Sequence, residues 1–222
     1  MQTFATPAPV AAVLDVPAGR IRLIAADRAE TTVEVRPANA AKGRDVKAAE
    51  RIEVGYADGV LRIAAREAES RMLGNSGSVE VTVHLPSGSR VEAKAADAEL
   101  RGVGRLGEVA FEGARATVEL DEVAEARLTV QAGDITVGRL NGPATVTAQQ
   151  GDIRIGEAVR GEVVLETQSG EISVGAARGV SASLDAGTSY GRIHNSLRNA
   201  EGTADLRVRA TTAYGDITAR SI

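Results

Sequence analysis

Cysteine is absent from the chain, and tryptophan with it. The first absence excludes disulfides, thiolate metal sites and a cysteine nucleophile. Two histidines are too few for a multi-histidine metal site. Aromatic residues make up 2% of the sequence against 43% hydrophobic, so the core has to be built from Val, Ile, Leu and Ala. The net charge is −4 with both signs interspersed, and no basic patch stands ready for a phosphate backbone. The longest early apolar run, Val10 to Leu14, falls far short of a membrane span. Met1 to Pro7 shows neither the basic region nor the apolar run of an export signal. We therefore expect a cytoplasmic protein without cofactor that contacts neither nucleic acid nor membrane.

What the chain does have is glycine, 24 residues of it, set as punctuation between short alternating apolar runs. One motif returns: Gly133-Asp134-Ile135-Thr136-Val137, then Gly151-Asp152-Ile153-Arg154-Ile155, Gly170-Glu171-Ile172-Ser173-Val174 and Gly215-Asp216-Ile217-Thr218-Ala219. A degraded copy is Gly191-Arg192-Ile193-His194-Asn195. A period near 20 residues carrying β-type side chains is the signature of a solenoid. The alignment extends back to Val118 and Leu100, giving an apolar column Leu100, Val118, Ile135, Ile153, Ile172, Ile193, Ile217. Two residues on stands a second column, Leu120, Val137, Ile155, Val174, Asn195 and Ala219. A strand precedes each core, marked by triplets such as Ala144-Val146-Ala148 and Val208-Ala210-Thr212. No single repeat buries its own apolar face, but stacking in chain order gives every strand a parallel partner about 4.8 Å away.

The fold expected is all-β: a single-stranded parallel β-solenoid (β-helix) of about 18–24-residue rungs, occupying residues 91–222. Residues 1–90 form an N-terminal β-strand cap region. Within it, strands are expected at Val10–Val16, Arg20–Ala25 and Thr31–Arg36, with a turn at Pro17-Ala18-Gly19. Loop composition follows at 37–45, then a helical turn from Val46 to Arg51. A hairpin through Ile52, Val54 and Tyr56 turns at Asp58-Gly59 and returns through Leu61 and Ile63. Glu67 to Gly77 reads as an exposed loop, and Val79 to Leu85 as a half-buried strand ending at Pro86.

The run Val79-Glu80-Val81-Thr82-Val83-His84-Leu85-Pro86-Ser87-Gly88-Ser89-Arg90-Val91-Glu92-Ala93, followed by Gly-Asp-Ile-x-Val repeats, resembles the bacterial DUF4097 family of adhesin-like β-repeat proteins. The similarity covers most of the chain, and the Ala- and Arg-rich composition looks like an actinobacterial member. The resemblance implies a parallel β-solenoid with no established enzymatic activity, called adhesin-like by shape.

Few constellations carry chemistry. Gly102-Val103-Gly104-Arg105-Leu106-Gly107 matches G-x-G-x-x-G, but a dinucleotide site needs that turn to open a helix. Here another strand follows at Val109 and Phe111. The acidic column Asp134, Asp152, Glu171 and Asp216 offers two readings. Stacked carboxylates bind Ca²⁺ or do acid–base work on a polysaccharide; otherwise they satisfy turn amides and keep the outer face soluble. Tyr190 and Tyr214 both precede the repeat glycine and should stack on adjacent levels as a small aromatic contact surface. With Arg192 and His194 of the degraded copy they complete the set of candidate contact residues.

The expectation is a non-enzymatic scaffold or interaction module without metal. Its partner is either another protein or a second copy meeting the C-terminal solenoid edge, where the last repeat is expected to lie. The 196–206 insertion is expected to cover that edge if nothing else does. The alternatives are a polysaccharide-binding or polysaccharide-cleaving β-helix using the acidic column, and an end-to-end self-assembling filament.

Overall fold

The computed structural model of the chain describes residues 1–66, 77–199 and 203–222. Two β walls face each other across an aliphatic core, and the chain passes from one wall to the other at each glycine turn. The elements are β1 (Gln2–Ala5), β2 (Ala11–Asp15), β3 (Ala18–Ala26), β4 (Glu30–Pro37), α1 (Gly43–Glu50), β5 (Ile52–Ala57), β6 (Val60–Ala65) and β7 (Val79–Pro86). A 43-residue strand, β8 (Arg90–Ala132), follows. Then come β9 (Ile135–Leu140), β10 (Ala144–Gln150), β11 (Ile153–Ala158), β12 (Gly161–Ser169) and β13 (Ile172–Ala176). The chain closes with β14 (Ala182–Tyr190), β15 (Ile193–Ser196), β16 (Leu206–Tyr214) and β17 (Ile217–Ser221).

The alternation read from the sequence is what makes the walls. β8 winds through successive rungs as one unbroken strand, and its charge pairs show the 18-residue step: Arg90 to Glu108 at 3.2 Å, Lys94 to Glu112 at 3.3 Å, Arg101 to Glu119 at 3.6 Å. From there the register is parallel and follows the columns, with Val118 beside Ile135, Ile135 beside Ile153, and Ile153 beside Ile172. The triplets align likewise, Leu128 with Val146 and Val146 with Leu165. Leu100, Val118, Ile135, Ile153, Ile172 and Ile217 are all buried. Each contributes on the order of 2 kcal/mol through the apolar area withdrawn from water.

Glycine at the corner is required by the spacing of the rungs. Gly133, Gly151, Gly170 and Gly215 have φ between 128 and 155°, a region that L side chains rarely adopt. A Cβ on Gly151 would stand 2.2 Å from the Gly133 carbonyl oxygen, and one on Gly170 2.0 Å from that of Gly151. By contrast, the G-x-G-x-x-G stretch lies within β8 and opens no helix.

Parallel stacking in chain order does not hold throughout, because the sheet is mixed. β4 is antiparallel to both β1 and β7, and β5 is antiparallel to β6. The hairpin turns where the sequence places it, with Asp58 and Gly59 at φ 52 and 78°, the pairing of positive angles that a two-residue turn needs. A helix forms over Gly43–Glu50, three residues earlier than expected. β1 went unread, and Pro17-Ala18-Gly19 leads directly into β3. The loop expected at Glu67–Gly77 lies, Gly77 apart, outside the described residues.

The order of the rungs also departs from the chain at both ends. β2 and β3 are inserted between the β6/β7 rung and the first rung of β8: β2 pairs with β6 and β8, β3 with β7 and β8. Likewise β16 sits between β12 and β14, and β17 between β13 and β15. The last repeat is therefore interior, and the degraded copy at Gly191 is the terminal rung. The reason is visible in the side chains. The inner place goes to Ile217 and Ala219, 1% exposed each, while Ile193 and Asn195 take the end, where Asn195 stays wet. Asn195 Oδ1 accepts the Leu197 N–H at 3.0 Å, and an interior Asn195 would have to bury the rest of its amide, a cost of about 1–3 kcal/mol if left unbonded.

Candidate functional site

The sequence-derived candidates converge on the turn corner between the walls, and the structure divides them into two groups. The acidic column is engaged by the backbone. The Asp152 N–H donates to Asp134 Oδ1 at 2.9 Å, the Glu171 N–H to Asp152 Oδ1 at 2.8 Å, and the Arg192 N–H to Asp216 Oδ1 at 2.8 Å. Each of these acids thus caps the turn of the next rung, and Asp152 also holds Arg154 at 2.5 Å. One oxygen each of Asp134, Asp152 and Asp216 is given to a turn amide. Among the described residues no cluster of three or more His, Asp or Glu is arranged to hold a metal ion.

The second group lies at the open end of the stack. Tyr190 and Tyr214 are 68% and 58% exposed. Their rings lie 5.0 Å apart and 3° from parallel, as adjacent rungs dictate once β14 and β16 are paired. Tyr214 is the inner ring and Tyr190 the outer, so one face of Tyr190 looks along the stack axis. Arg192, Ile193, His194 and Asn195 are exposed on the same terminal rung. His84 lies far from them, half-buried on β7.

Backbone groups complete this end. Along the corner the Gly151 N–H donates to Ser169 O, the Gly170 N–H to Tyr214 O and the Gly215 N–H to Tyr190 O. A second series runs Ile153 to Glu171, Ile172 to Asp216 and Ile217 to Arg192. At the terminal rung the equivalent donors are those of Gly191 and Ile193, and no further strand lies beyond them among the described residues. Of the 196–206 insertion, the described residues 197–199 reach the start of this edge: Leu197 packs against the core, the outward Ala182 N–H donates to Arg198 O, and the Arg198 N–H donates to Ser221 Oγ. Among the described residues, β14 is left uncovered from Leu184 onward.

The Toastrack DUF4097 family profile matches residues 13–220. The chain belongs to this family. Among solved structures the chain is similar to an adhesin candidate from Bacteroides fragilis, with 13% identity over 98% of this chain and 95% of that one and a TM-score of 0.52. Another similar structure is an adhesin candidate from Parabacteroides distasonis, with 14% identity over 100% of this chain and 95% of that one and a TM-score of 0.49. No curated protein matches.

One set of Toastrack corner residues escaped the sequence reading. Thr167, Thr212 and Thr188, the last members of their triplets, donate from Oγ1 to the carbonyls of Gly151, Gly170 and Gly215 at 3.1–3.2 Å. Threonine at the triplet position nearest the glycine was the available signal. A shallow groove on the flank is lined by Arg20, Glu80, Asp97, Glu99 and Arg115. Its charges are matched: Arg20 holds Glu80 at 3.0 Å and Glu99 at 3.3 Å, and Arg115 holds Asp97.

Proposed function

We propose that the chain is a non-enzymatic scaffold or interaction module of the adhesin-like Toastrack kind. Its stacked, largely parallel rungs act as a rigid rod, and its contacts are made at the β14/β15 end. The observation that carries this reading is the coincidence, on one rung, of unpaired strand edges, the free face of Tyr190 and the exposed Arg192, Ile193 and His194. Tyr and Arg are the side chains that anchor interfaces most often, and a strand edge is a template for main-chain pairing. In the flank groove Arg20, Glu80, Glu99, Arg115 and Asp97 are engaged with each other, and along the corner Asp134, Asp152 and Asp216 are engaged with turn amides.

The test is affinity capture from native extract with the intact chain as bait and Tyr190→Ala/Tyr214→Ala as control. Partners retained by the intact chain and lost by the double variant support the reading. Equal capture by both moves the contact surface to a flank.

A further inference from the structure

We infer that the β14/β15 end is completed by the same end of a second copy, related by a two-fold axis that runs along the strand direction between the walls. The inference rests on the preceding choice of the C-terminal end as the contact surface, and adds the occupant.

The end presents two edges at once. Among the described residues β14 pairs only with β16 and β15 only with β17, and of the outward groups of β14 the Ala182 N–H is already given to Arg198 O. The hydrogen bond from the Leu206 N–H to Ser181 O sets the alternation along β14. It leaves Leu184, Ala186 and Thr188 with their N–H and C=O groups directed away from β16. On β15 the bond from the Ile217 N–H to Arg192 O likewise leaves those of Ile193 and Asn195 facing outward. The two edges belong to walls about 10 Å apart and run in opposite directions, because the chain reverses at Gly191. A single peptide strand covers one of them. A second copy turned about the stated axis covers both, laying β14 of one copy antiparallel on β15 of the other, twice over.

Three features favour this occupant. The first is charge. Residues 182–196 carry one acid, Asp185, and one arginine, Arg192, with no Lys and no Pro, so like ends do not repel and the usual guards of an edge strand are missing. The second is the broken repeat. Asp134, Asp152 and Asp216 each accept the amide of the neighbouring rung, and at the terminal rung that position is Arg192. A parallel rung continuing the stack would find no carboxylate there, whereas an antiparallel partner needs none.

The third is size. A nine-residue limb is about 30 Å long and the two walls together about 20 Å thick, which gives roughly 600 Å² per copy. The total, roughly 1,200 Å², sits at the lower bound of specific interfaces and points to a reversible dimer.

Sedimentation of the intact chain from roughly 1 to 200 µM tests this directly. The expected result is a reversible shift from the 22.9 kDa monomer to the dimer and no further. Ala186→Pro removes an outward N–H without touching a bond to β16 and should weaken the dimer at least tenfold. Ile193→Lys, on an exposed position, should do the same and covers the case in which the proline variant fails to fold by circular dichroism. A monomer at every concentration, a dimer indifferent to both folded variants, or assembly past the dimer overturns the second-copy assignment. The preceding reading fails separately, through equal capture by the tyrosine variant.

Discussion

The two ends of this solenoid solve the same problem in opposite ways. At the N-terminal end the direction of pairing reverses: β1 and β4 run antiparallel on one wall and β5 on the other. Phe4 and Tyr56 meet there at 5.5 Å, partly buried against the core, and α1 packs beside β4. At the C-terminal end nothing reverses. β14 and β15 continue the parallel register, their inward residues beyond the buried Ala182 are half-exposed or exposed, and the aromatic pair stands outside the core. A stack of parallel rungs has two raw edges; here β1 and β5 end the stack on one side with reversed pairing, each on a single partner strand, and β14 and β15 end it on the other in parallel register.

The sharpest way to break that contrast is to cut each end. Removing residues 206–222 takes away the strand partners that β14 and β15 have among the described residues, so residues 183–196 should lose their protection against amide exchange. Removing residues 1–8 takes away β1 alone, and β4 keeps its pairing with β7. Exchange protection of β4 should then persist. Protection surviving in β14 after the C-terminal cut would mean that the rung order described here is wrong.

A single column offers the next test. Ile153 is fully buried and Ile193 is 44% exposed, though both occupy the same position of the repeat. Ile153→Asp loses about 2 kcal/mol of apolar burial and buries a carboxylate without a partner, for a total of about 4 kcal/mol or more. The same change at Ile193 leaves the carboxylate in water and should shift the thermal midpoint little, measured at concentrations below dimerisation. Equal loss of midpoint in the two variants would show that the Gly191 rung is interior after all.

Most of the architecture was legible because it rests on local regularities. The Gly-acid-Ile spacing fixes the rung, the alternation fixes which side chains face inward, and Asp58-Gly59 fixes the hairpin. The rung order was not legible by the same route, since Ile193 and Ile217 are equivalent in spacing, and proximity in sequence favoured stacking in chain order. Yet the information was present in Arg192 and Asn195. An arginine where the other Gly-led copies have an acid, and an amide where every other copy has an aliphatic residue or alanine, mark a rung on which no further rung stacks among the described residues. β1 and the antiparallel cap were missed because Gln2–Ala5 carries a single large apolar residue, Phe4, too little for a pattern. Of the candidate site, the tyrosine stack was anticipated. Its position beside a bare edge came only with the topology.

The smallest expected effect addresses the corner ladder. Asp152 accepts the Glu171 N–H at 2.8 Å, so Asp152→Ala should leave that amide without its acceptor and cost about 1 kcal/mol. Asp152→Asn keeps an acceptor oxygen at the same reach and should recover most of the loss. If the column instead held a cation, Asn would fare as badly as Ala, and calcium would raise the midpoint of the parent alone. Arg192 supplies the counterpart at the β14/β15 end. Among the described residues no further rung lies beyond it to be capped, so Arg192→Asp should leave the monomer's midpoint where it is. A gain of stability there would mean that an acid at the last corner still finds an amide, and that the end is less open than its strand pairing implies.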